Sequence, residues 1–248
     1  MTDLGSGAGG MRGMENRVYV TVCGNIGAGK TSLVQRLCRE FGWQPYLEEV
    51  VDHPYLDDYY KDMRRWGFHT QIYFLTARLR QQQEIAQIPM SVCQDRSIYE
   101  DHEIFARSLT SLGIMSQRDY QSYRLLFESI TAYISRPDLM VYLRASVPTL
   151  MERISVRSRD YESTITPDYL QHLNEHYEDW MARFNLCPVL ALDGDRLDFV
   201  HRPGDLSHIF EGVHKMLGFR EPRLGLPLPG PEMIVRTATP APEASRAP

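Results

Sequence analysis

Gly24-Asn25-Ile26-Gly27-Ala28-Gly29-Lys30-Thr31 is the stretch on which the reading of this chain turns. It fits GxxxxGK[ST] at every specified position. Before it, Arg17–Cys23 (RVYVTVC) is a β-branched run that predicts a buried strand. After it, Leu33, Leu37 and Phe41 recur at helical spacing and predict a helix over Lys30–Phe41. A glycine-rich turn between a strand and a helix points backbone N–H groups and a positive helix end at phosphate oxygens. Gly24 to Ser32 are therefore the expected phosphate-binding residues. Lys30 is expected on the β- and γ-phosphates and the Thr31 hydroxyl on Mg²⁺.

Working outward, further strands are expected at Gln44–Leu47, Ser91–Gln94, Leu139–Leu143 and Val189–Leu192. Helices are expected between them. They include one from Pro54 to Trp66 interrupted near Gly67, a long one over His69–Gln87, and others at Ile98–Leu112, Gln117–Ser135, Thr149–Ser158, Pro167–Arg183 and Ser207–Leu217. Alternating strands and helices predict an α/β fold: a five-stranded parallel sheet flanked by helices. Residues 1–16 lack a signal-peptide core and read as a flexible lead-in, 17–219 as one domain, and the Pro/Ala-rich 220–248 as a mobile tail with a short docked segment at Met233–Val235.

Composition narrows the function. Of 248 residues, 43% are hydrophobic and 24% charged, as in a globular domain, and the formal net charge of −5 offers no general pull on nucleic acid or an anionic membrane. No run approaches the ~20 apolar residues a membrane helix needs. Cys23, Cys38, Cys93 and Cys187 show no metal-binding spacing, and buried free thiols in a reducing cytoplasm are expected.

The loop alone does not separate a motor, a switch and a kinase. No NKxD guanine motif is present, and the third strand runs into Gln94-Asp95-Arg96-Ser97 rather than an Asp-Glu pair. Asp95 can sit near Mg²⁺, and Arg96 can reach a transferring phosphoryl group. Arg153, Arg157 and Arg159 form a second cationic cluster, the first two on one helix face. They predict an arginine-bearing lid over the phosphates. Glu48 and Glu49 follow the second strand at the edge where such sheets bind ligands, and a neutral alcohol acceptor needs a carboxylate to take its proton. Leu47–Tyr60 holds no arginine to grip an acceptor phosphate, which favours a nucleoside over a nucleotide. Gln71 and Arg78, seven apart on the long helix, can present hydrogen-bonding groups to a nucleobase, with Asp101 as the partner Arg78 needs. The phenol of Tyr60 can reach a sugar hydroxyl.

The ordered signatures GNIGAGKTSL, HPYLDDYY behind Glu48-Glu49, TQIYFLTARL, DRSIYEDHEIF, RISVRSRDYE and LDGDRLDF resemble the deoxynucleoside kinases over about Tyr19 to Leu217. On the acceptor side the sequence looks most like the bacterial deoxyadenosine/deoxyguanosine members. The resemblance implies phosphoryl transfer from ATP with Mg²⁺ to a deoxynucleoside 5′-hydroxyl, deoxyguanosine or deoxyadenosine favoured and deoxycytidine next. It implies a general base at the acidic residue after strand two. Where the family commonly has Glu-Pro-Val, this chain has Glu48-Glu49-Val50; spacing to Pro54 favours Glu48, with Glu49 close behind. It implies Tyr60 and Glu162 on the sugar 3′-hydroxyl, and Gln71, Phe74, Arg78 and Asp101 around the base. Asp95 and Arg96 match the acid–arginine motif, and Asp198-Phe199 the loop beside the donor adenine. It also implies a homodimer built on helices flanking the long one. A thymidylate-kinase-like enzyme acting on monophosphates, and a nucleotide-binding regulator without catalysis, are the rival expectations.

Overall fold

The computed structural model describes residues 17–48, 53–157, 162, 165–218 and 234–236. Glu49, Arg159 and the lead-in at 1–16 lie outside the described residues, as does the 220–248 tail apart from 234–236.

Strand β1 (Tyr19–Gly24) is fully buried and lies between β3 (Val92–Asp95) and β4 (Leu139–Arg144). The sheet order is β2 (Gln44–Tyr46), β3, β1, β4, β5 (Val189–Asp193), β6 (Ile234–Arg236). The first five strands run parallel, as the alternation of strands and helices predicts. The sixth adds antiparallel to β5, pairing Ala191 with Ile234, in the tail where a docked segment is expected.

Both faces of the sheet are covered, so the strands read as continuous apolar runs, yet the pleat still sorts their side chains. Val20, Val22, Val141 and Leu143 enter one core with Leu33 and Leu37 of α1 (Lys30–Phe41). Cys23, Met140 and Tyr142 enter the other with Leu75, Tyr123 and Tyr177. All four cysteines are free and buried. No described helix is long and apolar enough to cross a membrane.

One expected boundary moves, and one expected helix proves uneven. The break after Pro54 falls at Asp62, between α2 (Leu56–Lys61) and α3 (Met63–Gln87), not near Gly67. Asp62 leaves the helical region (φ −146°, ψ 84°) and its carboxylate accepts from Arg65 N, capping α3. Gly67 stays helical inside α3, buried where a Cβ would lie at ordinary contact distance from Leu109 and Ile114. The helix expected over Ile98–Leu112 is continuous but uneven: α4 (Ile98–Glu100), a π-helical segment (Asp101–Ala106) and α5 (Arg107–Ser111) follow without a gap. A widened turn of this kind re-aims side chains and is frequent at functional sites. Here it carries Asp101 and Phe105 to the mouth of the sheet. Beyond it come α6 (Gln117–Thr131), α7 (Val147–Arg157), α8 (Pro167–Arg183) and α9 (Pro203–Met216).

Candidate active site

The C-terminal edges of β1 and β3 open into a cavity of about 990 Å³. Its lining joins the glycine-rich loop, the segment after β2, α3, α7 and the turn after β5. Ligands bind at this edge of parallel α/β sheets.

The loop is shaped by its glycines. Gly27 and Gly29 adopt φ +84° and +96°, a region L-residues avoid, and Gly29 is the N-cap of α1. Asn25 is buried. Its Nδ2 donates to Leu170 O and Asn174 Oδ1, tying the loop to α8. Ile26 and Ser32 line the cavity, and the Ala28 carbonyl accepts from Arg153 Nη1 at 3.0 Å. Lys30 is 7% exposed and its Nζ donates to Asn25 O at 2.9 Å. Burial, reinforced by Arg96, pushes its pKa down to about 8 despite Asp95, Glu48 and Glu100.

Thr31 Oγ1 donates to Asp95 Oδ2, while the buried Asp95 Oδ1 has no hydrogen-bond partner. A hydroxyl and a carboxylate with an unused oxygen at the phosphate end of the loop are a donor set that fits Mg²⁺. That ion takes one or two protein oxygens and fills its shell with phosphate oxygens and water. No group of three or more His, Cys, Asp or Glu among the described residues could hold a metal by itself.

Glu48 is the hub of the acceptor side. Its Oε1 lies 2.7 Å from Arg78 Nη2 and 3.0 Å from Arg96 Nε. Burial alone would raise its pKa; Arg96, Arg78 and Lys30 outweigh that and hold it at about 2. Arg96 takes φ +67°, the only positive φ among the described non-glycine residues, while its N–H still bonds Val22 O. Such strain persists only where surrounding contacts over-determine it, and it clusters at functional sites. Its guanidinium stacks over Phe105 at 4.4 Å, and Nη1 has no hydrogen-bond partner.

Arg78 and Asp101 pair as expected, Nε to Oδ2 at 3.5 Å. Arg78 is 2% exposed and stands behind the cavity wall, donating also to Asp95 O. Burial pushes Asp101 up to about 7 against the pull of Arg78 and Arg96. Gln71 and Phe74 line the wall; Gln71 Oε1 is buried without a partner, and Phe74 packs on His53 at 4.4 Å. Tyr60 and Glu162 both line the cavity.

The expected lid arginines do different things. Arg153 bridges Ala28 O and Gly194 O. Arg157 makes a two-pronged contact with Glu162, Nε to Oε2 at 3.0 Å and Nη2 to Oε1. Arg159, like Glu49, lies outside the described residues. Asp198 and Phe199 line the cavity; Phe199 Cζ would stand 3.2 Å from a Cβ at Gly29, and Asp198 Oδ1 accepts from His201 N.

Several residues at the site escaped the sequence reading. Thr70, Tyr59, Phe105 and Tyr169 join the wall. Glu100, fully buried, reaches the first residue of the loop. Its signal was present: Ser97-x-x-Glu100 is a capping box, and both of its hydrogen bonds form.

A glycine-rich loop bearing Lys30 and Thr31, an acid–arginine turn at Asp95-Arg96 and a carboxylate hub together define a phosphotransferase of the P-loop class. The deoxynucleoside kinase family model matches residues 20–218, and the chain belongs to that family. It is 37% identical over 200 residues to the deoxyadenosine/deoxycytidine kinase of Bacillus subtilis (strain 168), covering 80% of this chain and 92% of that one. It is 36% identical over 202 residues to the deoxyadenosine kinase of Dictyostelium discoideum, covering 81% of each. Among solved structures, deoxyadenosine kinase from M. mycoides with bound dATP superposes with a TM-score of 0.71 at 28% identity, covering 80% of this chain and all of that one.

Proposed function

We propose that this kinase moves the γ-phosphoryl group of ATP to the 5′-hydroxyl of a deoxynucleoside, giving a deoxynucleoside monophosphate for salvage. The observation that carries the reading is the Glu48 carboxylate, held by Arg78 and Arg96 beside the same cavity that Lys30 and Thr31 line. At a pKa of about 2 Glu48 is a weak base. It orients the hydroxyl as an acceptor and takes its proton late, as suits a loose phosphoryl-transfer transition state. Arg96 Nη1 and Lys30 stabilise charge on the phosphoryl oxygens. Thr31 and Asp95 would hold Mg²⁺, which would supply charge neutralisation on the phosphates.

Gln71 Oε1 and the Arg78–Asp101 pair read the base, with Phe74 narrowing the slot. Tyr60 and Glu162, the latter oriented by Arg157, hold the sugar 3′-hydroxyl. Arg153 and Arg157, with Arg159, close over the donor phosphates, and Asp198-Phe199 flank the donor base. Deoxyadenosine is the first-choice acceptor, with deoxyguanosine and deoxycytidine next; the relatives named for deoxyadenosine support that order. The enzyme acts in the cytoplasm as a homodimer through α6, whose Leu125 (60% exposed), with Tyr133 just beyond it (91%), leaves apolar surface uncovered.

The test is a phosphotransfer panel of Mg·ATP with each deoxynucleoside, ribonucleoside and deoxynucleoside monophosphate. The reading expects turnover on deoxynucleosides; turnover confined to monophosphates, or ATP binding without turnover, overturns it.

A further inference from the structure

The mechanism above gives no task to the buried carboxyl of Glu100. Glu100 is wholly inaccessible to solvent, and both of its oxygens are engaged. Oε2 accepts from Ser97 N at 2.8 Å and from Ser97 Oγ at 3.4 Å, the ordinary closure of a helix start. Oε1 does something a cap does not require. It accepts from Gly24 N at 3.3 Å and from Tyr177 Oη at 2.7 Å. The same Tyr177 hydroxyl lies 2.7 Å from Gly24 O. Gly24 ends β1 and opens the phosphate loop; Ser97 adjoins Arg96, whose backbone is strained at φ +67°.

Burying a carboxyl is costly unless its partners compensate, and a helix start is ordinarily capped by a Ser, Thr, Asp or Asn side chain without a buried carboxyl. The compensation here comes from two loops at once. One carboxyl group fixes the separation between the segment that carries Lys30 and the turn that carries Arg96. Tyr177, 0% exposed, extends the tie to α8. The charge of Glu100 is also felt by both cations: it opposes the lowering of the Lys30 pKa and helps raise that of Arg96.

We infer that Glu100, with Tyr177, is a positioning residue for phosphoryl transfer: it locks the phosphate loop to the Arg96 turn so that Lys30 and Arg96 meet the same phosphoryl group. The inference rests on the proposed kinase reaction. It touches neither substrate, so its loss should be read in kcat and in the nucleotide side rather than on the deoxynucleoside.

The experiment compares the wild type, Glu100→Gln, Tyr177→Phe, Arg96→Lys and the Glu100→Gln/Arg96→Lys double variant in steady-state assays with Mg·ATP and deoxyadenosine. Glu100→Gln keeps the size but sets a donor against Ser97 N–H. It is expected to lower kcat about tenfold or more, raise KM for ATP, and leave KM for deoxyadenosine within about twofold. The double variant is expected to be no slower than Arg96→Lys alone, because residues acting through one another are non-additive. Losses that multiply, or a kcat unchanged in Glu100→Gln, overturn the inference. Should Glu100→Gln fail to fold, Tyr177→Phe, which deletes one hydroxyl, carries the same test with Arg96→Lys. A wild type with no turnover on the panel overturns the kinase reading instead. The tie is then judged by equilibrium titration with ATP, where Glu100→Gln should weaken binding about tenfold and unchanged binding would sink it.

Discussion

Arg96 Nε stands 3.0 Å from Glu48 Oε1, the same oxygen that Arg78 Nη2 contacts at 2.7 Å. One carboxylate is thus shared by two buried guanidiniums, and Arg78 has Asp101 as a second acidic partner. Its removal has two separable effects, on the reaction and on the buried charge it leaves behind.

Glu48→Gln should cut kcat by about a hundredfold or more, the usual scale for a lost general base. Glu49→Gln should not. Steady-state kinetics of the two variants decide the assignment, and the reverse pattern would move the base to Glu49. Stability should change as well. The folded pKa of Glu48 lies below its ordinary 4.5, at about 2, so its contribution is present above pH 4.5 and is lost as pH falls through about 2. Acid titration of the melting temperature should show a weaker acid limb in Glu48→Gln.

Lys30 gives a prediction on the alkaline side. Its pKa is lowered from 10.5 to about 8, so the free enzyme loses the loop cation as pH rises through about 8. kcat/KM for ATP, which reports the free enzyme, should fall above that pH, while kcat should hold to higher pH because bound phosphates stabilise the ammonium. Lys30→Ala should abolish turnover; near-normal activity would contradict the role of the loop.

Asp101 titrates near neutrality, raised from 3.8 to about 7 by burial. Ionised, it is the stronger acceptor for an exocyclic amine of a nucleobase. KM for deoxyadenosine should therefore fall as pH rises from 6 to 8. Asp101→Asn should flatten that dependence; an unaltered profile would remove Asp101 from base reading.

How much was legible in advance follows from the kind of signal each feature leaves. The phosphate loop and α1 were read closely because a fixed spacing of glycines and a clear helical period each write themselves into consecutive residues. The Arg78–Asp101 pair was legible from need, since a guanidinium on a buried helix face requires a carboxylate. The contact of Arg157 with Glu162 was not, because a sequence shows a basic helix face but not which acid it meets. Likewise Phe105 reached the site through a π-helical turn that no periodicity announces. The break at Asp62 was masked by Gly67, the more conspicuous breaker, which lies buried within α3.

Gly24 leaves no space for a side chain. At φ +147° a Cβ there would come within 2.6 Å of Leu143 O, a backbone atom of the neighbouring strand. Gly24→Ala must push β1 and β4 apart or twist the loop, at a cost on the order of 1–3 kcal/mol. Thermal melting should show a drop together with weakened ATP binding; an unshifted melting temperature would mean the strands yield more easily than their pairing suggests.

The final strand bears on how the sheet is kept from pairing at β5 with foreign chains in a crowded solution. A sheet with a bare margin is a template on which a stranger's backbone can lay itself down. By folding Ile234–Arg236 back along Val189–Ala191, the chain occupies that margin with its own residues. Clipping it ahead of Ile234 would leave the chemistry of the loop intact yet expose unpaired amides along β5, and the truncated enzyme should clump before it fails to work.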